Sequence, residues 1–574
     1  MTFKSLFLRS VASIILVTSL SCSNQFDELS LNPNQKTLEG ITTPQAYNTF
    51  IQGIYFYVAT ARNLGAQGRN VLFSRGDESS SGADYAAFGQ NAINPDYYSL
   101  KEVYQYMYTV AGQSAIALDI ASRINFPDPK LRDAYLGEAH FLRAFAHYFL
   151  LTNFRQVALI KEPAYSPADY ARPINTPLEV WNFIIEDLNT AKTLLPTKDY
   201  WTGTNVGRIS AGGAAAFLGK VYLYMSGIES IYGSEKVNKY SEAAREFGDI
   251  MSGKYGTYTL MADYNHNFDV AHENNNEALV EFQFFGSRVN TEFNPGVPNS
   301  GVSFDYRGMM IPFSNQFITN LRHNREAAVV HDWVYDTFVQ SKDKDGNTDP
   351  RMFGTILFDD SKPEIKAPTV NGVVQKVIGL SGKTWNQMYP PTATANGFAT
   401  VDRIFAPYKA AYKKWIDLTL PSDADPGSPA LWARRSYCNG VNYRYIRYAD
   451  VLLMYAEAVL MGGTATAGSA QNALNAVRER SNMPIIPATL ENIKHERILE
   501  LSLEGHRFMD LLRWGTLVNT MKNREATDPN FKKFGNGSPN SSYVPFQENK
   551  NEWLPIPAVD MQSNPNIKQN NPGW

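Results

Sequence analysis

Cysteine is nearly absent from this chain: 574 residues contain two, Cys22 and Cys438. With Cys22 assigned to lipid attachment just after an N-terminal leader, one thiol remains, which excludes an internal disulfide and any Cys₂ or Cys₄ metal site. The eight histidines are scattered and no HExxH occurs, so zincin chemistry has no motif. Neither sign of charge dominates: 53 Lys and Arg stand against 56 Asp and Glu, and the bases are dispersed. That balance leaves no basic field for nucleic acid. Beyond residue 22 no apolar run approaches the roughly 20 residues of a membrane-spanning helix, so the remainder reads as a soluble globular body. No cofactor-binding motif survives inspection. Aromatic residues, by contrast, are plentiful, at 32 Tyr, 32 Phe and 9 Trp. Phe suits a core, whereas Tyr and Trp pair an apolar face with a polar handle and suit surfaces that stack on sugars or grip peptides.

The chain begins MTFKSLFLRSVASIILVTSLSC. Lys4 and Arg9 make a positive start, Val11 to Leu20 an apolar stretch, and Ser21 precedes Cys22, which is the layout of a secretory signal peptide over residues 1–21. A small residue directly before a cysteine points to cleavage and lipid attachment at Cys22. Acyl chains would then hold the mature protein on a membrane, each buried methylene contributing about 0.8 kcal/mol. Ser19 and Leu20 stand where a bacterial lipobox usually has Leu and a small residue. Secretion with an unmodified Cys22 is the alternative.

Residues 22–45 are polar and aperiodic, a tether and strap. From 46 to 261 the pattern is helical. In 131–151, Tyr135, Ala139, Leu142, Ala146 and Phe149 share one helix face. A second helix spans 176–196, with Thr176 as N-cap, Pro177 at the first position and Glu179 completing a capping box. An Ala-rich helix covers 210–227, and a fourth runs from Tyr240 to Met251. Short connections between amphipathic helices suggest degenerate tetratricopeptide-like hairpins. Residues 262–440 form an irregular lobe with a few strands, such as the alternating Ala278–Phe284 run. Over 441–574 helices return, at 444–461, 468–481, 489–503 and 506–520, before an extended tail rich in Pro and Asn. The fold class is mostly α, and the two helical parts are expected to pack together and cap each other's apolar ends.

Motifs for catalysis fail on inspection. Gly213 to Lys220 resembles a phosphate loop, but the spacing is wrong and Val221 replaces the Ser or Thr that would hold Mg²⁺. Its Ala-rich context favours packing. Gly301-Val-Ser303-Phe-Asp305 lacks the second Gly of a nucleophile elbow. Asp343 to Asp349 spaces oxygens like the start of a calcium loop, yet Gly354 stands where the bidentate acid belongs, which favours a solvated turn. Glu500 and Glu504 lie one turn apart and could be paired acid–base carboxylates. Arg497, Arg507 and Arg513, with Asp510, are close enough to make an ion network instead, as are Arg447, Asp450 and Glu457 in the preceding helix. No nucleophile with its base emerges, and no enzyme is expected.

Several segments, taken in order, resemble the SusD/RagB family of outer-membrane lipoproteins from Bacteroidetes. They are SCSNQFDELSLNP at the start, EAHFLRAFAHYFLLTNF (138–154), EVWNFIIEDLNTAKTLLP (179–196), GRISAGGAAAFLGKVYLY (207–224) and TDPRM (348–352). RYADVLLMYAEA (447–458), ALNAVRERSN (473–482), ERILELSLEGHRFMDLLRWG (496–515), LPIP (554–557) and QNNPGW (569–574) complete the series. Arg155-Gln-Val157-Ala-Leu159 departs from the Gly-Gly-Val-Pro-Leu run that often follows the FLRA helix. The resemblance implies tetratricopeptide-like helical pairs beside an irregular ligand lobe, and a cell-surface lipoprotein with no catalytic step. It also implies a SusC-like TonB-dependent transporter as partner, to which captured glycans or peptides are delivered. An envelope scaffold without a ligand is the contrasting possibility.

The family's ligand contacts share no motif, so candidates come from physics alone: aromatic rings for stacking, with paired polar groups for hydroxyls, in loops. Residues 73–98 offer Arg75, Asp77, Tyr85, Asn91, Tyr97 and Tyr98. Residues 299–307 offer Phe304 and Tyr306, and SGKTWNQMYPP offers Trp385 and Tyr389. Packing in the interior is the competing role for each, and Arg75 and Asp77 have the option of pairing with each other.

Overall fold

The computed structural model describes residues 38–59, 64, 67–80, 87–166, 169, 171–284, 329–358, 360, 362–375, 409–415, 441–533 and 541–574. The leader, Cys22 and Cys438 lie outside them. Within the described residues no helix is long and apolar enough to cross a membrane. The N-terminal part is built from α1 (Pro44–Ala59), α2 (Gln67–Ser74), α3 (Tyr98–Ile120), α4 (Pro129–Phe154), α5 (Pro177–Leu194), α6 (Ala211–Tyr232) and α7 (Tyr240–Met251). Consecutive members from α3 to α7 pack on one another. Local chemistry sets their starts. Asp128 caps α4 through the Lys130 amide, with Pro129 in the first turn. The expected capping box of α5 is formed, Thr176 N donating to Glu179 Oε2 at 2.7 Å while Glu179 N donates to Thr176 Oγ1 at 3.3 Å.

The Ala-rich α6 is buried along its whole length from Ala211 to Glu229. Its glycines are where neighbours come closest: a Cβ on Gly219 would stand 2.6 Å from the Phe247 ring, and one on Gly227 2.6 Å from the Arg513 carbonyl oxygen. The segment resembling a phosphate loop is therefore a packing surface.

Helix α8 (Asp332–Gln340) and the single turn α9 (Met352–Thr355) belong to the middle of the chain, as do most of the strands. Strands β1 (Ser79–Ser80), β3 (Val329–Val330), β7 (Ala410–Tyr412) and β4 (Ile356–Phe358) make one antiparallel sheet in that order, and β5 (Thr369–Val370) pairs with β6 (Val373–Val374) in a separate hairpin. This sheet stitches the N-terminal segment at Ser79 to the middle of the chain, and Tyr412 donates its hydroxyl to Ser79 Oγ at 2.8 Å. In the segment with calcium-like spacing, the Asp343 carboxylate accepts the backbone amides of Asp345 and Asn347 at 3.0 and 2.8 Å. This is an Asx-type turn.

After residue 441 the chain departs from the sequence expectation. The span 444–461 is not one helix. Tyr443–Arg447 is strand β8, paired antiparallel with β2 (Ala278–Phe282), and α10 (Tyr448–Leu460) follows directly. Both strands are buried on both faces, so the run Ala278–Phe282 has no solvent side. Next come α11 (Ala470–Arg480), α12 (Leu490–Leu501), α13 (Arg507–Arg513), α14 (Leu517–Thr527) and the short α15 (Ala558–Ser563). Positive φ at Leu503 and Gly505 ends the α12 region before Arg507, and Gly515 at φ +68° splits the expected 506–520 helix in two.

The two helical parts share one core. The Phe145 ring of α4 lies 5.2 Å from both Phe282 of β2 and Tyr445 of β8, and 5.8 Å from Phe217 of α6. Tyr224 of α6 donates to Asp510 of α13 at 2.9 Å. The C-terminal tail is pinned as well, Leu554 N donating to the Asn153 carbonyl at 2.7 Å.

Candidate functional site

Residues 73–79 had the composition of a polar ligand loop, but all seven are buried. Arg75 is 4% exposed and lies 3.9 Å over the Phe508 ring. Its guanidinium donates to Asn153 Oδ1 and to the carbonyls of Asn551 and Glu552 at 2.9–3.1 Å. Asp77 is fully buried and pairs with Arg507 at 2.7 Å and Arg524 at 3.2 Å. Burial alone would raise its carboxyl, but the two arginines outweigh that and hold it below the usual range. The expectation that Arg75 and Asp77 contact ligand is corrected here: Arg75 ties the segment after α2 to α4 and the C-terminal tail, and Asp77 ties it to α13 and α14. They do not pair with each other, and Arg507 is turned to Asp77, away from Glu500 and Glu504.

Asn91, Tyr97 and Tyr98 remain at the surface side of this segment. The run from Asn94 to Tyr97 is a turn in which Asp96 N donates to Asn94 Oδ1 at 2.9 Å and Tyr97 N to the Asn94 carbonyl at 3.0 Å. The turn delivers Tyr98 as the first residue of α3, where it is 60% exposed beside the exposed Asn94 and Asp96. Tyr97 is half-buried, edge-on to Phe88 at 5.9 Å. Asn91, at φ +54°, donates through Nδ2 to the Val544 carbonyl at 3.1 Å. Val544 N and Ala558 N return bonds to the carbonyls of Gln90 and Pro95, so the C-terminal tail braces this loop. An aromatic face beside amide and carboxylate groups on a braced turn is a suitable sugar-stacking platform. Tyr85, Phe304, Tyr306, Trp385 and Tyr389 lie outside the described residues.

A cleft of about 320 Å³ opens between the α5–α6 connection and the turn before β2, lined by Lys198, Trp201, Arg208, Asn274, Asn276 and Glu281 among others. Most of its charges already have partners. Arg208 holds Glu138 at 2.6 Å and stacks 4.8 Å over Trp201. Lys198 Nζ donates to the carbonyls of Asn275 and Ala278, and burial lowers its ammonium. The exposed Asp199, Thr202 and Asn276 leave hydroxyl-matching groups at the mouth. The two walls come from segments some 70 residues apart in sequence (198–210 and 274–281), so no local pattern announced them.

The densest charge cluster is interior. Arg351, Lys414, Arg447, Arg478 and Arg480 meet Glu277, Asp349, Glu496, Glu500 and Glu504 in linked ion pairs, with a separate pair, Arg444 and Glu281, at 3.6 Å. Burial pushes the Glu500 carboxyl up, but Arg480, Arg447 and Arg351 hold it well below the usual range. Glu504 is held down in the same way by Arg447 and Lys414. Both carboxylates are fully buried and committed to these ion pairs, which is the arrangement of a structural network. A second cluster joins Arg497 to Asp450 and Asp510, and Arg513 to Asp510 and Glu457.

Comparison with known proteins covers nearly the whole chain. Residues 227–574 match the model of the SusD family, and residues 29–223 match a model described as "Starch-binding associating with outer membrane". SusD-like protein P2 of Formosa agariphila is 23% identical over 591 aligned residues, spanning 98% of each chain. The crystal structure of a SusD homolog from Bacteroides thetaiotaomicron superposes with a TM-score of 0.69 at 22% identity, covering 95% of this chain and 100% of that one. Surface glycan-binding protein A from Bacteroides fluxus gives 0.65 at 20% identity, with 93% and 100% covered.

Proposed function

This chain belongs to the SusD family, and from that premise we propose that it is a cell-surface lipoprotein that captures oligosaccharides and delivers them to a SusC-like TonB-dependent transporter. The observation that carries the reading is the pair of family matches, which together span 29–223 and 227–574, one of them described as starch-binding and associated with the outer membrane. The name of the Bacteroides fluxus neighbour also points to glycans. The braced turn with Tyr98 is the described surface best suited to a sugar ring, with Asn91 and Tyr97 supporting it from behind. Tyr85, Phe304, Tyr306, Trp385 and Tyr389, which lie outside the described residues, are further ligand candidates on residue type alone, and Cys22 carries the lipid. The protein needs no catalytic group for this work, because capture and release follow from binding alone.

Anchoring and delivery are tested together. Cys22→Ala moves the protein from the outer-membrane fraction to the soluble fraction, while the parent copurifies from solubilised membranes with a β-barrel transporter. A Cys22→Ala protein that stays in the membrane fraction would refute lipidation, and recovery without any barrel would refute the partnership.

A further inference from the structure

One group of side chains plays no part in the glycan reading. His266, in the turn Tyr264–Asn267, and Asp269 and His272, just after it, place donor atoms within 4.8 Å of one another. The two imidazoles are stacked, 3.5 Å between centroids and 13° from parallel. His272 Nδ1 lies 2.8 and 2.9 Å from the two oxygens of Asp269. His266 makes no ring hydrogen bond among the described residues, so its nitrogens are uncommitted.

The loop that carries them is fixed from below. Asn275 Nδ2 donates to both the His266 and the His272 carbonyls, at 3.1 and 2.9 Å. Arg444 Nη2 also donates to the His272 carbonyl, at 3.0 Å. Asp269 Oδ1 accepts the amides of Ala271 and His272, each at 2.9 Å, which leaves Oδ2 less encumbered. Backbone and carboxylate are thus set before any ligand arrives, while the side chains of Asp269 and His272 are each 38% exposed and open to water.

We propose that His266, Asp269 and His272 bind a divalent transition metal of the zinc type. Zinc bonds nitrogen and carboxylate oxygen at about 2.0–2.2 Å, so two donors at the tetrahedral angle stand about 3.4 Å apart. The His272 Nδ1 to Asp269 spacing of 2.8–2.9 Å needs to open by about half an ångström to admit the ion. The ion takes the place of the proton between them, and the neutral His272 ring then carries its proton on Nε2. The stacked His266 supplies the third donor by a small rotation of its ring, and water fills the remaining positions. Two imidazoles and one carboxylate favour zinc, nickel or copper over calcium or magnesium, which prefer all-oxygen shells. In sequence the signal is the spacing H-x-x-D-x-x-H, which stands on a turn and matches no helical zinc motif.

Titration calorimetry of the isolated protein with zinc chloride, repeated with calcium chloride, tests the site. The expected result is saturable zinc binding at one equivalent, no matching calcium binding, and a loss of affinity of roughly 10- to 100-fold in Asp269→Asn. His266→Ala is the variant that keeps the fold, since its ring makes no hydrogen bond, and it is expected to weaken zinc binding at least as much with an unchanged melting temperature. Copper bound to the parent should show nitrogen coupling in its electron paramagnetic resonance spectrum, lost in a His266→Ala, His272→Ala double variant. Absence of saturable binding at millimolar zinc would overturn the proposal. So would zinc binding that persists unchanged in His266→Ala.

Discussion

Replacing Arg447 with methionine is expected to cost about 3–5 kcal/mol of folding free energy, because it strips a buried cation from three buried acids. Arg447 is fully buried. Its Nη1 donates to Glu277 and Glu500 at 2.7 and 2.6 Å, its Nε to Glu504 at 2.8 Å, and its Nη2 to Glu504 and to the Glu500 carbonyl at 2.9 and 2.7 Å. No other residue type reaches three carboxylates in a plane. Lysine offers one charge on a flexible stem and would restore only part of the loss. The consequence extends beyond one helix, since Glu277 precedes β2, Arg447 ends β8, Glu500 ends α12 and Glu504 follows it. Urea unfolding at neutral pH measures the change. A loss below about 1 kcal/mol, the scale of an exposed ion pair, would mean that the cluster does not hold these elements together.

Glu78 should behave in the opposite way: removing its charge stabilises the protein. It is 4% exposed, and its carboxyl is pushed up to about 8, chiefly by burial, with Asp77 adding to the rise against the pull of Arg507, Lys414 and the Leu503 amide. In the unfolded chain the same group ionises near 4.5. Between those values the folded protein retains a proton that the unfolded chain has lost. The contribution of Glu78 to stability is therefore complete below pH 4.5 and declines as pH rises toward 8. Glu78→Gln cannot ionise and keeps an oxygen for the Leu503 amide, 3.4 Å away. At about 1.36 kcal/mol per unit, the variant is expected to exceed the parent by about 2–4 kcal/mol at pH 8 and to match it below pH 4.5. Denaturation midpoints at pH 4.5 and pH 8 read this directly, and a variant no more stable than the parent at pH 8 would contradict it. On the acid side the sign reverses. Glu500, Glu504, Asp77 and Asp510 are held below their ordinary values, so their contribution is present above about pH 4.5 and is lost as pH falls through those lowered values, which for Asp510 means about 2.

How far residues reveal structure differs across the chain. The helices α4 to α7 were legible because caps and periodicity agree: Thr176, Pro177 and Glu179 mark one start, and one apolar face runs from Tyr135 to Phe149. Tyr443–Arg447 was not legible as a strand. YRYIR runs into α10 without a break, and its pairing partner lies more than 150 residues away at Ala278–Phe282. Arg75 and Asp77 misled for a related reason. A charged pair beside Gly and Ser looks like a solvated loop until Arg507 and Arg524, over 400 residues later in the chain, are seen to close on it. Glu500 and Glu504 do sit in an ion network, as their charged surroundings suggested, but the arginines at helical spacing, Arg497, Arg507 and Arg513, pair elsewhere, and the cations that hold the two acids are Arg351, Arg447, Arg480 and Lys414 from other segments. The Tyr98 turn lay in between. Asn94-Pro95-Asp96 announces a turn, but the brace from Val544 and Ala558 is a long-range contact that no local pattern encodes.

Glycan capture is tested most directly by measuring binding of the isolated protein to a panel of plant, host and microbial oligosaccharides, with mixed peptides as comparison, alongside Tyr98→Ala. The account predicts saturable binding of at least one glycan, no binding of peptides, and an affinity about 2- to 10-fold weaker in Tyr98→Ala, the loss of one stacking face. Binding of peptides alone, or of no glycan when the transporter is present as well, would contradict it.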